Sequence, residues 1–531
     1  MKKLFVVLCA MTPLLSHAQL NYPNYQALQS QINQTKNNKL VQVSSIGSSF
    51  SGEQIPVIKL QKNDSPKPTL LIVSGIDGKH PAGVINSLQL VNNLLKLPSD
   101  SLSALLDRKS IWVIPMVSPD AFKRNLTTGH WSSGNARVID NDRDGRVDED
   151  PSKDLNADGV LAQMRIASSA GTYMQHADFP GVLVKADRSK GQRGHYILLN
   201  EGVDADFDGQ YAEDGDSGVN IAKNFTYDYP AFSAESGDYA ASEPETKALL
   251  EFIYTHPEIS TVLNFGINNN LSTPESYNPA KANQRIVGSW SRNDTEVSKY
   301  ISSIYNQSVK AMGQAPKMEH QAGGFTNTAY YHIGKYSFAT PSWWPSVTDN
   351  TKSYKEDDLF YKWVEENNVT GAILPWTKVN HPNFPADQVE VGGVVEIYKH
   401  NPPVEFLKTS SELHSDFVQR LVQAMPELEF QKPKVTALGA DVYRVELTVT
   451  NIGMMPTYPE IGDKIKHVSK LKTVCELNSA QQFLSGKRLQ LYSSLGAGES
   501  RTFSWLIKGK GAIHIQAGCP TSGEVNLEVK L

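Results

Sequence analysis

Cysteine is almost absent. Three occur in 531 residues, and because Cys9 falls in the apolar leader described below, only Cys475 and Cys519 remain to pair. A disulfide-stapled scaffold is therefore excluded, and a single Cys475–Cys519 bridge in the C-terminal region is the expectation for an oxidising compartment. Long apolar runs are missing beyond residue 18. Nothing later reaches the roughly 18 apolar residues that cross a bilayer, so no membrane span is expected. An excess of positive charge is missing too: 51 Lys and Arg face 56 Asp and Glu, a formal net charge of -5. With an isoelectric point near 6.2 the chain has no basic face, which excludes nucleic acid as a partner. Internal repeats and low-complexity tracts are also lacking.

What is present begins with Lys2 and Lys3, an apolar run from Leu4 to Leu15, and Ser16-His17-Ala18. This is the pattern of a secretory signal over residues 1–18 cleaved before Gln19, so an exported, periplasmic or extracellular protein is expected. The remaining length suits two or three domains. Residues 19–425 alternate buried strands with amphipathic helices. YQALQSQINQ reads as a helix, LVQVSSIG and IPVIKL as strands, and Val84–Leu95 and Glu243–Ile253 as helices, which predicts an α/β domain with a mixed sheet flanked by helices. From Pro433 the character changes to short alternating strands, VYRVELTVTNIG, RLQLYSS, RTFSWLIKG, GAIHIQAG and VNLEVKL, separated by turn signals. Residues 433–531 are expected to form a small all-β sandwich, joined through a linker at 425–433.

The buried run Leu70–Val73 leads into the glycine-punctuated turn GIDGKHPAG, Gly75 to Gly83, and a helix opening at Pro81. This segment resembles the zinc carboxypeptidase family, the carboxypeptidase A-like metallopeptidases, whose motif G-I-H-x-x-E supplies two zinc ligands. Here Asp77 stands at the His position and His80 at the Glu position. Other segments resemble the family in chain order. IWVIPMVSPDAF (111–122) is similar to its N-P-D-G segment, GVNIAKNF (218–225) to G-V-D-L-N-R-N-F, and ASEPETKALLEFI (241–253) to its S-E-P-E-T helix. ISTVLNFGINNN (259–270) resembles the strand that ends in the third zinc ligand, where Gly266 stands. AGGFTNTAYYHIGKYSFATPSWW (322–344) resembles the segment carrying the catalytic Glu, which falls on Pro341. The resemblance implies that Lys223 and Asn224 lie at the grip for a substrate carboxylate, with Lys223 replacing the family's Arg and Ala222 its Asn.

Those replacements have chemical consequences. A catalytic zinc needs three protein ligands and an open position; Asp77 and His80 could serve, but Gly266 has no side chain. Pro341 cannot act as general base, a role worth roughly a hundred- to ten-thousand-fold. Lys223 offers a point charge in place of a planar bidentate fork. No catalytic residue is intact, so the expectation is a pseudopeptidase that binds a peptide or cell-wall-derived ligand, with zinc absent or substoichiometric. The alternative is an active metallocarboxypeptidase with rearranged ligands, in which Asn264, Asn268, His320 or His332 would help Asp77 and His80.

Between these segments lie acidic stretches of the form D-x-[DN]-x-D-G. They are Asp140, Asp142, Asp144 with Gly145; Asp154, Asn156, Asp158 with Gly159; and Asp204, Asp206, Asp208 with Gly209. A further acidic run, Asp148-Glu149-Asp150, follows the first. Oxygen ligands at alternate positions and a glycine at the sixth suit a loop wrapped around calcium, although none has a Glu at the twelfth position. Calcium is therefore an expected cofactor at each of the three loops.

Overall fold

The computed structural model describes residues 20–531 except 141–144, 146, 148–149, 208, 213–217, 318–320, 348–354 and 386–387. The leader, Asp142, Asp144, Asp208 and His320 lie outside the described residues.

A six-stranded mixed sheet forms the centre of the first domain. In spatial order its strands are Val41–Ser48, Gln54–Leu60, Ser110–Ile114, Thr69–Ser74, Ile259–Phe265 and Tyr336–Thr340. The last four run parallel and the first two antiparallel. Thr69–Ser74 is buried at every position, as a strand covered on both faces by helices must be. Alternate residues feed two cores. Leu70 and Ile72 pack with the helices Pro81–Leu95 and Leu407–Ala424, whereas Leu71 and Val73 pack with Leu249 and Ile253 of Pro244–Thr255. Both Pro81 and Pro244 sit at the first helical position, where the missing N–H costs nothing.

A second sheet, not anticipated from the sequence, is wholly antiparallel. Its order is Ile373–Val379, Val389–Val394, Gln163–Ala167, Tyr196–Asn200, Tyr173–Gln175, Leu183–Lys185. It joins the acidic insertion to the end of the domain. Arg165 fastens it: the guanidinium lies 4.3 Å from the Trp376 ring and 4.6 Å from the Tyr196 ring and pairs with Glu390 at 2.7 Å.

The C-terminal region is the expected sandwich of two antiparallel sheets, and each of the five predicted strands lies on an observed one. Val445, Leu447 and Val449 of one sheet face Ile513, Ile515 and Ala517 of the other in a shared core. Two expectations need correction. The 425–433 linker contains a strand, Leu428–Phe430, paired with Val449–Asn451. Cys475 and Cys519 are both free and buried. Cys475 pairs across the sheet with Ile515, so Cys519 lies four residues further along, roughly 13 Å at the strand rise and well beyond the ~7 Å a bridge spans.

The sandwich is docked on the first domain through Asp294, 1% exposed, at the start of the helix Arg292–Ser308. Its Oδ1 accepts from the Glu460 N–H at 2.8 Å and the Tyr336 hydroxyl at 3.3 Å. Its Oδ2 accepts from the Ile461 N–H at 3.0 Å and the Tyr330 hydroxyl at 2.8 Å. Asp294 thus supplies, from another domain, the acceptors that the first turn of Glu460–Lys464 lacks.

Candidate functional site

Three of the parallel strands, Thr69–Ser74, Ile259–Phe265 and Tyr336–Thr340, end at the same edge. Chain order reverses between the first two, which opens a crevice at their carboxyl ends. The turn after the first carries Asp77 and His80, Gly266 follows the second, and Pro341 follows the third. The structure brings together what the sequence placed apart. A cleft of about 350 Å³ is lined by Asp77, His80, Ala222, Asn264, Gly266, Asn268 and Gln321. A second of about 290 Å³ adjoins it, sharing His80 and Gly266 and adding Pro341, Ser342, Trp343 and His400.

The Asp77–His80 turn is held from several directions. Gly75 has φ +62° and Gly78 has Ser132 O within 2.4 Å of where a Cβ would stand, so both positions require glycine. The Asn125 amide donates to Gly78 O at 3.0 Å. Asn401, from the far end of the domain, donates to Lys79 O at 2.8 Å and accepts the Ala82 N–H at 3.1 Å, capping the helix that follows. Within this frame the Asp77 carboxylate serves the turn itself: Oδ1 accepts the Lys79 N–H at 2.8 Å, and Oδ2 lies 3.5 Å from the Asn220 amide. Burial holds the His80 pKa below its ordinary value, with the Asp77 charge opposing. Across the cleft the His400 ring faces His80, centroids 5.7 Å apart. Burial, then the nearby His80 and Lys399, lower its pKa as well.

The remaining site residues fall as follows. Asn264 is 5% exposed and lines the cleft; its Oδ1 has no hydrogen-bond partner. Asn268 lines the same space. His332, considered as a helper ligand, instead bonds Thr226 Oγ1 at 2.8 Å and packs on Tyr227, outside the residues lining either cleft. Lys223 forms a short ion pair with Glu235, so its charge is matched internally. Asn224 is a correction: its side chain is buried, its amide donates to Ser236 O, Tyr239 O and Ser242 Oγ, and its Oδ1 accepts the Glu243 N–H. It braces the loop and offers a substrate nothing. His400, Asn401 and Asn220 were missed by sequence reasoning. His400 and Asn401 are distant in the chain and carry no spacing signal, whereas Asn220 lies inside the GVNIAKNF segment and is brought to Asp77 only by the fold.

Zinc does not fit this arrangement. Among the described residues no three His, Cys, Asp or Glu side chains around Asp77 and His80 come within the reach of one ion.

A sequence model of the zinc carboxypeptidases matches residues 27–354. The chain belongs to the zinc carboxypeptidase family. Residues 427–530 match a second model, described as a domain of unknown function (DUF8731). A zinc carboxypeptidase of Saccharothrix mutabilis subsp. capreolus is 29% identical over 119 residues, 21% of this chain and 27% of that protein. The match thus spans about a quarter of the relative's length. Among solved structures, bovine thrombin-activatable fibrinolysis inhibitor in complex with tick carboxypeptidase inhibitor aligns at 12% identity and a TM-score of 0.41, over 76% of this chain and 97% of that one. Carboxypeptidase A from Helicoverpa armigera aligns at 12% identity and 0.38, over 76% and 75%.

Proposed function

We propose that the chain is an exported pseudopeptidase, a member of the zinc carboxypeptidase family that binds a peptide or cell-wall-derived ligand in the old cleft without hydrolysing it. The observation that carries this reading is the pairing of Gly266 and Pro341 with His80 at one cleft edge. The position that would complete a zinc site has no side chain, and the position that would take a proton from water has no base. Binding is supported by what remains. Asn264 offers a buried, unpartnered carbonyl oxygen, and Asn268 and Gln321 add amides suited to the N–H and C=O groups of a peptide. The leader-like residues 1–18 support export.

The test pairs elemental analysis with turnover. Dialysed protein is expected to hold well under one equivalent of zinc and to release no C-terminal residue from peptides or peptidoglycan fragments, even with zinc added. Stoichiometric zinc lost on Asp77→Ala, together with chelator-sensitive release, would establish the rearranged hydrolase instead. If a ligand carboxylate binds near Lys223, Glu235→Gln should strengthen binding by freeing the ammonium, and Lys223→Ala should weaken it. Equal binding by both variants would place the ligand elsewhere.

A further inference from the structure

We propose that Asp150, Asp204 and Asp206 form one calcium site assembled across two separate acidic loops. The sequence pattern assigned an ion to each loop by itself; the fold joins residues from different ones. Carboxylate oxygens of these three residues lie within 4.8 Å of one another. Asp150 comes from the end of the first insertion and is fully buried, and Asp204, which opens the third loop, is 6% exposed.

The protein holds these groups in place. Asp150 Oδ1 accepts the Ala205 N–H at 2.6 Å, so the two loops are tied directly. Asn383 clamps the Asp204 backbone, accepting its N–H at 3.2 Å and donating to its carbonyl at 2.6 Å. Asp204 Oδ2 accepts the Gly209 N–H at 3.1 Å. Its other oxygen, Oδ1, is buried and has no hydrogen-bond partner, and among the described residues no Lys, Arg or His pairs with it.

That orphaned oxygen is the deciding feature. A buried carboxylate with one oxygen left without a donor and no counter-charge is costly, and two further carboxylates converging on it raise the cost. A divalent cation removes it at once. The donors are all hard oxygens set in irregular loops, which suits calcium with its flexible shell of six to eight oxygens and does not suit zinc. Water and backbone carbonyls would complete the coordination. The ion's role is structural, because it pins the first insertion to the segment that carries Asp204 and, through Asn383, to the approach to strand Val389–Val394.

Tyr211 is close enough to feel the charge of both Asp204 and Asp150, which provides a local reporter. The full chain, stripped with EGTA, is titrated with Tb3+ while tyrosine is excited, and Ca2+ is then added in competition; melting is recorded in Ca2+ and in EGTA. The expected result is Tyr211-sensitised emission that Ca2+ displaces, a higher melting temperature in Ca2+, and at least a tenfold loss of affinity in both Asp150→Asn and Asp204→Asn. Asp154→Asn, in the neighbouring loop, should leave that affinity within twofold. Wild-type binding by Asp150→Asn would overturn the cross-loop site. So would identical wild-type melting in Ca2+ and EGTA with no displaceable emission, a measurement that stands even if a variant fails to fold.

Discussion

Replacing Asp294 tests how the two domains are joined. Each of its oxygens accepts one backbone N–H and one tyrosine hydroxyl, a 2.8 Å and 3.3 Å pair on one and a 3.0 Å and 2.8 Å pair on the other. A tyrosine hydroxyl can turn and accept, but a backbone N–H can only donate. In Asp294→Asn, whichever way the amide is flipped, its NH2 must therefore face either Glu460 N–H or Ile461 N–H, leaving a buried donor against a donor. One unsatisfied buried group costs roughly 1–3 kcal/mol, so Asp294→Asn should lose about 2 kcal/mol despite being nearly isosteric. Asp294→Ala strands both N–H groups and both hydroxyls and opens a cavity, for a loss of about 3–5 kcal/mol. Urea unfolding followed separately by tryptophan emission and by proteolysis near Leu428 should show the sandwich releasing earlier in both variants. A shift under about 0.5 kcal/mol in Asp294→Asn would refute the argument, since no orientation of the amide satisfies both N–H groups.

Two other outcomes are expected. Burial pushes the Glu245 carboxyl up to about 7, against hydrogen bonds from the Phe50 N–H and the Asn135 amide. Because the folded value exceeds the unfolded one, the stability this group supplies is intact below about pH 4.5 and is lost as pH rises through 7, by about 2–3 kcal/mol. Glu245→Gln escapes that loss, so its stability relative to wild type should climb by this amount between pH 4.5 and 8 in urea titrations; a constant difference would contradict it. Cys475 and Cys519 should titrate as two free thiols in denaturant without reductant. In the native state Cys475 should react slowly, as burial raises its pKa to about 12; one disulfide by mass would show the register to be wrong.

The central sheet was legible because its inner strands Thr69–Ser74 and Ser110–Ile114 are near-continuous apolar runs and its helices open on Pro81 and Pro244, signals that depend on neighbours in the chain. The cleft positions were legible because scaffold motifs surround them. The second sheet was not: Tyr173–Gln175 and Leu183–Lys185 are three residues each and depend on partners far away. Strand register was equally hidden, which is why a bridge looked available between two cysteines that the pairing of Cys475 with Ile515 separates. The acidic loops were found individually, and their sixth-position glycines do adopt positive φ at 145, 159 and 209. Their joining through Asp150 depends on tertiary contacts that no spacing reveals.

The second sheet also sets an order of events for a chain made from its N-terminus. Arg165 and Glu390 are 225 residues apart, and the strands Ile259–Phe265 and Tyr336–Thr340 of the central sheet lie between them. Ile259–Phe265 can pair with Thr69–Ser74, and Tyr336–Thr340 with Ile259–Phe265, before residue 389 exists. Gln163–Ala167 has no Val389–Val394 to pair with until nearly three quarters of the protein has emerged, and Asp204 must wait as long for Asn383. Non-local pairings of this length are slow to close, so the acidic insertion stays without its Val389–Val394 partner for most of synthesis, as the Asp77–His80 turn stays without Asn401.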